Sequence, residues 1–314
     1  MGENMVSRKE ESLWSGTACR VAVNAVSHPI EYAKVLIQIG HEPIAPYATR
    51  TIFGRPALAL PNVYKYIKYI KGVDGFTGCY RGLVPKLCSY TVSAVVCEKT
   101  AEYIESKYPR PRIEPEDEEE SAEKYIQDFL RDLVSRVVGI IISHPLDVIS
   151  LRMMAQFVGG EIKYSGLIQS LVEIYKENGI SGYFAGLMPR LIANAATLVI
   201  VSSSTYAINK YVITDREMKS FTASTMTFLA TTVTYPFLVV SHCMAVNNCG
   251  LVAGVPPQMP IYTNWLDCWA HLSATNQLKR GSSLLWRYYT EPPNLINNKP
   301  FPISTSAFYM KSIK

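Results

Sequence analysis

The sequence predicts an all-α membrane protein built from three tandem repeats of helix pairs, with the last repeat cut short. Three observations carry this expectation. The first is a proline motif that returns twice and decays as it returns: Ser27-His28-Pro29-Ile30-Glu31-Tyr32-Ala33-Lys34, then Ser143-His144-Pro145-Leu146-Asp147-Val148-Ile149-Ser150, then Thr234-Tyr235-Pro236-Phe237-Leu238-Val239-Val240-Ser241. Pro29, Pro145 and Pro236 stand 116 and 91 residues apart, so repetition is the first property to read. The second is a glycine motif after each proline. Asp74-Gly75-Phe76-Thr77-Gly78-Cys79-Tyr80-Arg81-Gly82 is followed by Asn178-Gly179-Ile180-Ser181-Gly182-Tyr183-Phe184-Ala185-Gly186, and the third repeat keeps only Gly281 to Arg287. The third is composition. Of 314 residues, 48% are hydrophobic and 18% charged, below the quarter usual for soluble domains, as expected of a chain with much lipid-facing surface.

The elements follow in order. Residues 13–39 read as a first span whose polar residues, Arg20, Asn24, Ser27 or His28, Glu31, Lys34 and Gln38, recur in steps of three and four and so share one face. Glu31 and Lys34 are neighbours on that face and are expected to pair. Residues 40–61, rich in proline and glycine, read as a loop. Residues 62–72 alternate Tyr and Lys at helical spacing, which suits an interfacial helix with snorkelling lysines. A second span over 86–107 carries Lys86, Tyr90, Ser93, Cys97 and Thr100 on one face. The acidic, proline-containing stretch 108–124 reads as a solvated loop between repeats. Then come a third span (125–158), an interfacial helix (164–178), a fourth span (189–211), a fifth (220–248) and a third interfacial helix (262–274). Repeat 1 thus covers 13–107, repeat 2 covers 125–213 and the incomplete repeat 3 covers 220–288. The tail 289–314, with four prolines and no apolar run, is not expected to span.

Composition also bounds function. The net charge of +5 is mild and scattered, giving no reason to expect nucleic acid as a partner. The seven cysteines form no Cys-x-x-Cys and the five histidines no close ligand set, so neither a metal nor another cofactor is expected. No nucleotide-binding loop or nucleophile motif appears, and the chain is not expected to be an enzyme. The N-terminus has neither the apolar core of a secretory signal nor, with Val6 in place of Ser or Thr, a myristoylation motif, so targeting is expected to be internal.

The Pro-x-acid-x-x-base and acid-Gly-x4-aromatic-base-Gly motifs, in this order and three times over, resemble the mitochondrial carrier family across roughly residues 13–288. The stretches 35–46 (VLIQIGHEPIAP) and 235–251 (YPFLVVSHCMAVNNCGL) are similar to a narrower branch, the mitochondrial carrier homologs. The resemblance implies a ring of helix pairs around a polar interior. In carriers three acid–base pairs close one side. Here the first pair, Glu31 and Lys34, stands; the second has Asp147 but Ser150 for its base; the third has Leu238 and Ser241. The opposite gate is also eroded, and alternating access needs both.

With the sixth helix missing, the polar faces would open sideways as a groove in the bilayer, lowering the cost of passing polar groups. The resemblance therefore implies an insertase of the mitochondrial outer membrane for α-helical and tail-anchored proteins. Its partners would be the lipid bilayer and client transmembrane segments. The alternatives are a membrane docking platform for pro-apoptotic regulators and a degenerate solute carrier. The residues expected to line the groove and contact clients are Glu31, Lys34, Arg136, Asp147, Arg190, Asn194 and Tyr235. Lys34, the last motif base against two motif acids, is expected in a shared polar cluster with them.

Overall fold

The computed structural model describes residues 2–50, 54, 56–109, 122–211, 216–289, 293–296 and 299–302. The central part of the acidic loop and most of the tail lie outside them. Among the described residues, five long helices, α1 (Gly2–Gln38), α3 (Leu83–Lys107), α4 (Ala122–Ala155), α6 (Leu187–Tyr211) and α7 (Arg216–Val246), are interspersed with three short ones, α2 (Val63–Gly78), α5 (Leu167–Asn178) and α8 (Trp265–Ala274). Pro29, Pro145 and Pro236 fall inside α1, α4 and α7, each removing one rung of the helix ladder. Asn62 and Asn264 start α2 and α8 by accepting the amides of Lys65 and Asp267 three residues on.

Three stretches, 125–155, 180–211 and 221–246, are long and apolar enough to cross a membrane; α1 and α3 carry too much polarity to meet the same measure. The most extensive helix contacts are α3 with α4 and α6 with α7. Gly139 lets α3 and α4 approach until a Cβ there would stand 3.1 Å from the Ser93 carbonyl, the small-residue packing of membrane bundles.

The core sits at one end of the bundle. There the halves of α1, α4 and α7 that follow the prolines, bearing Leu36, Ile149 and Val239, bury against Tyr66, Ile70, Ile174 and Leu272 of the short helices. At the other end cover is thin. Val26 of α1 is 79% exposed, and Phe228 and Val233 of α7 are 71% and 66% exposed.

The expected all-α fold needs one correction. Residues 40–61, read as a loop, carry a hairpin of β1 (Tyr47–Arg50) and β2 (Pro56–Leu60), and β3 (Arg287–Tyr288) adds to β2 in antiparallel register. Four- and five-residue strands with a proline at one end leave too faint an alternation to read. The partner that completes this sheet lies more than two hundred residues away.

The third glycine motif also has a different register from the one its residues suggested. Gly82 and Gly186, both left-handed (φ 79° and 78°), immediately precede α3 and α6. Their counterpart is Gly281 (φ 71°), so the base position matching Arg81 is Arg280 rather than Arg287. From N-cap to glycine the first two repeats take 20 residues, 62 to 82 and 166 to 186; the third takes 17, 264 to 281. That three-residue deletion hides the match. Where α3 and α6 begin after their glycines, the third repeat runs instead into β3, and the described tail residues Pro293–Ile296 and Lys299–Pro302 pair as two strands, β4 and β5.

Candidate functional site

Three hydrogen bonds repeat around the bundle at the residue before each proline. His28 Nε2 donates to the Arg81 carbonyl (3.0 Å), His144 Nε2 to the Ala185 carbonyl (3.0 Å), and Tyr235 Oη to the Arg280 carbonyl (2.6 Å). Each ties a long helix to the glycine turn of its own repeat. Five residues after the proline, Ser150 and Ser241 donate to Gly82 O (2.9 Å) and Gly186 O (2.8 Å) of the preceding repeat. A Cβ at Gly186 would lie 2.3 Å from the Ser241 carbonyl, so only glycine permits this approach. The two serines that replaced motif bases are thus ties between repeats.

These ties carry a cluster of charges inward from four helices. Lys86 Nζ stands 2.9 Å from Glu31 and 3.5 Å from Asp147, while Arg190 pairs with the other oxygen of Asp147. Arg190 Nη1 also donates to His144 Nδ1 (3.1 Å), which fixes the tautomer, because the other ring nitrogen donates to Ala185. Tyr90 Oη donates to Glu31 (3.4 Å). The side chains of Lys86 and Asp147 are 12% and 4% exposed, so each charge is stabilised chiefly by the others. His242 of α7 lies within electrostatic reach of Lys34, Lys86, Asp147 and Arg190.

The expected pairing of Glu31 with Lys34 is not formed. Lys86, one turn into α3, reaches two carboxylates at once, which outweighs a single neighbour on the same helix. Lys34 instead lies over the ring of Tyr235, 5.2 Å from its centroid, and among the described residues no carboxylate reaches it within ion-pair distance. The shared cluster expected around Lys34 is therefore centred on Lys86, a residue placed on the polar face of its span but not singled out. Its signal was spacing, since Lys86 and Arg190 each follow their glycine by four residues.

Tyr235 is buried as a clamp rather than open to a groove. A relay runs from His242 Nδ1 to Gln38 Oε1 (2.7 Å), from Gln38 Nε2 to Tyr235 Oη (2.8 Å), and on to Arg280 O, joining the ends of α1 and α7. Arg136 and Asn194 stand apart from the cluster. Both are exposed; Arg136 pairs with Asp132 one turn away (2.9 Å) and Asn194 donates to the Arg190 carbonyl (2.9 Å). Thr227 and Thr231 of α7 return their hydroxyls to their own helix, as short polar side chains do in membrane spans. Among the described residues no cluster of ligating side chains could hold a metal ion.

Threefold prolines, left-handed glycines and a charge cluster at one end of a helix bundle define the carrier architecture. The family model for mitochondrial carrier protein matches residues 10–111 and 121–216, stopping where the third repeat begins. Mitochondrial carrier homolog 2 of Mus musculus is 43% identical over 271 residues, covering 83% of this chain and 89% of the relative; that of Homo sapiens is 41% identical with the same coverage. Mitochondrial carrier homolog 1 of Mus musculus is 38% identical over 296 residues, covering 86% of this chain and 75% of the relative. The chain belongs to the mitochondrial carrier family and, within it, to the mitochondrial carrier homologs, which makes it a mitochondrial membrane protein.

Proposed function

We propose that this protein is an insertase of the mitochondrial outer membrane that passes α-helical and tail-anchored proteins into the bilayer through a laterally open polar groove. The observation that carries the reading is the one-sided cover of α7. In its first half, among the described residues, a stripe at Thr222, Ala230 and Thr234 is buried, while Phe228, Leu229 and Val233 stand exposed. Val23 and Val26 of α1 are exposed as well, and among the described residues the hydrogen bonds between the two helices all run through Gln38, to Tyr235, His242 and Cys243. A helix in a closed ring has a neighbour on either side; in our reading the place between α7 and α1 is the open side of the groove.

In this reading α1, α3, α4, α6 and α7 are the five spans, and the segment after Gly281 does not make a sixth. The charges of Glu31, Lys86, Asp147 and Arg190 hold water and polar groups at the floor of the gap. A client's polar flank crosses there at a lower desolvation cost than through lipid.

Reconstitution into liposomes tests the proposal. The purified protein should insert a radiolabelled tail-anchored client unaided, measured as protease protection of its C-terminal tail. Client binding without insertion would overturn the insertase in favour of a docking platform. Exchange of a small solute without insertion would favour a carrier.

A further inference from the structure

The left-handed glycines mark where the chain meets the bilayer. Gly82 and Gly186 immediately precede α3 and α6, and the stretch that holds α6 is long and apolar enough to cross a membrane. Their counterpart, Gly281, is followed by the turn that leads to β3 rather than by a helix. β3 is held firmly there. Arg287 turns inward, pairs with Glu42 and donates Nη1 to the Pro61 carbonyl (2.9 Å). On either side of the strand, Val63 N of α2 donates to Leu284 O (2.9 Å) and Tyr289 N donates to Leu58 O (2.8 Å). Trp286 and Tyr288, which flank Arg287, turn outward, and Trp286 is 69% exposed. The register sets Tyr47, Ala59 and Tyr288 side by side on one face, so two exposed rings flank a buried alanine. Lys65 of α2 lies over Tyr47, 4.8 Å from the ring centroid, and Tyr64 next to it is exposed.

We propose that the outward face of this three-stranded sheet is a membrane-interface anchor: Trp286, Tyr288 and Tyr47 sit in the layer between phospholipid headgroups and acyl chains and seat the third repeat there in place of a span. The chemistry of the side chains identifies the partner. Tryptophan and tyrosine rings have an apolar body and a polar tip, which suits that boundary better than either water or hydrocarbon. Lys65 lays its apolar stem along Tyr47 and presents its ammonium to lipid phosphate. A contact with a second copy of the chain would instead disfavour lysine at its centre. The anchor also has a geometric use. β2 belongs to the first repeat and β3 to the third, so a sheet fixed in the interface holds both repeats at one depth. Nothing in this arrangement depends on client insertion.

The experiment uses the full chain reconstituted in phosphatidylcholine liposomes. In one sample p-benzoylphenylalanine stands in place of Trp286, and photolysis should attach a phospholipid to the peptide that contains it, read as a mass increment. In another, the emission of the parent minus that of Trp286→Phe isolates the signal of Trp286. That signal should be quenched about twofold more by phospholipid brominated near the head of its acyl chain than by phospholipid brominated near the chain end, because interfacial groups reach about 5–10 Å into the boundary. Iodide in the water should quench it weakly. The proposal is overturned if the crosslink joins two copies of the chain instead of forming a lipid adduct, or if iodide quenches more than either lipid. It is equally overturned if the chain-end bromines quench most, which would put Trp286 inside the hydrocarbon as part of a span. Both substitutions replace an exposed ring and leave Arg287 and Ala59, on the buried side, in place.

Discussion

Lys86 and Lys34 are lysines in opposite situations, Lys86 the more deeply buried of the two. Lys86 compensates two carboxylates from different repeats; removing it leaves Glu31 short of a partner and Asp147 dependent on Arg190 alone. Lys86→Met should therefore destabilise the fold by about 3–5 kcal/mol, the cost of stranding a buried charge. That would be seen as a lowered unfolding midpoint and a sharp loss of steady-state protein. Lys34 lies over the face of Tyr235 and, among the described residues, forms no ion pair, so its removal strands no acid. Lys34→Glu should leave abundance near that of the parent while raising insertion of clients with basic flanks, because a fixed positive charge in a low-dielectric groove opposes theirs. Measuring insertion per molecule beside abundance separates the two; lower abundance with unchanged insertion per molecule would give Lys34 a purely structural role.

His41, in the turn after α1, packs edge-on against Phe157 (6.0 Å), and burial pushes its imidazole down to about 4 from an ordinary value near 6.5. The unfolded chain binds the proton more readily, so this contribution is present above pH 6.5 and is lost as pH falls from 6.5 toward 4. His41→Gln should flatten the acid limb of a plot of unfolding midpoint against pH between those values; an unchanged limb would place the sensitivity elsewhere.

Among the elements, the junction of α1 with α7 depends on few groups. Gln38 spends its side-chain amide on Tyr235 and His242 and its carbonyl on Cys243. Replacing one partner of a buried hydrogen bond costs about 1–3 kcal/mol, so Gln38→Ala should lower the unfolding midpoint by several degrees. Gly281→Ala should act in the same direction. A left-handed alanine costs about 1–2 kcal/mol, and its Cβ would stand 3.1 Å from Tyr235 Oη. Differential scanning fluorimetry in detergent reads both, and a Gly281→Ala midpoint equal to the parent's would refute the equivalence of Gly281 with Gly82 and Gly186. The elements themselves were largely legible in the sequence. The short helices α2, α5 and α8 lie within three residues of the interfacial helices expected from residues 62, 164 and 262, and the long helices follow the polar faces in steps of three and four. The sheet was not legible, because β2 and β3 find each other only once the bundle has brought residues 59 and 288 together.

For the whole molecule, the asymmetry between its two ends is what matters. At the end rich in short helices the third repeat closes onto the first through Tyr235, Arg280 and Gln38; at the other, Val23 and Val26 of α1 and Phe228 and Val233 of α7 are exposed. If the groove reading is right, single cysteines placed between 290 and 314 should all react with a membrane-impermeant maleimide from one side of intact mitochondria. A protected stretch of about twenty residues there would mean a sixth span.

The sequence alone determined the threefold plan, because proline kinks and left-handed glycines are local backbone requirements that few residue types satisfy. It placed Glu31, Asp147 and Arg190 on polar helix faces, but the same spacing also placed Arg136 there, which stands exposed and paired with Asp132. Only the tertiary structure decided which charge pairs with which. Lys34 lost Glu31 to Lys86 because a side chain from a neighbouring helix can stand between two carboxylates, whereas one from the same helix reaches a single neighbour. Pairing in a low-dielectric interior is settled by distances between helices, and no spacing along one chain encodes them.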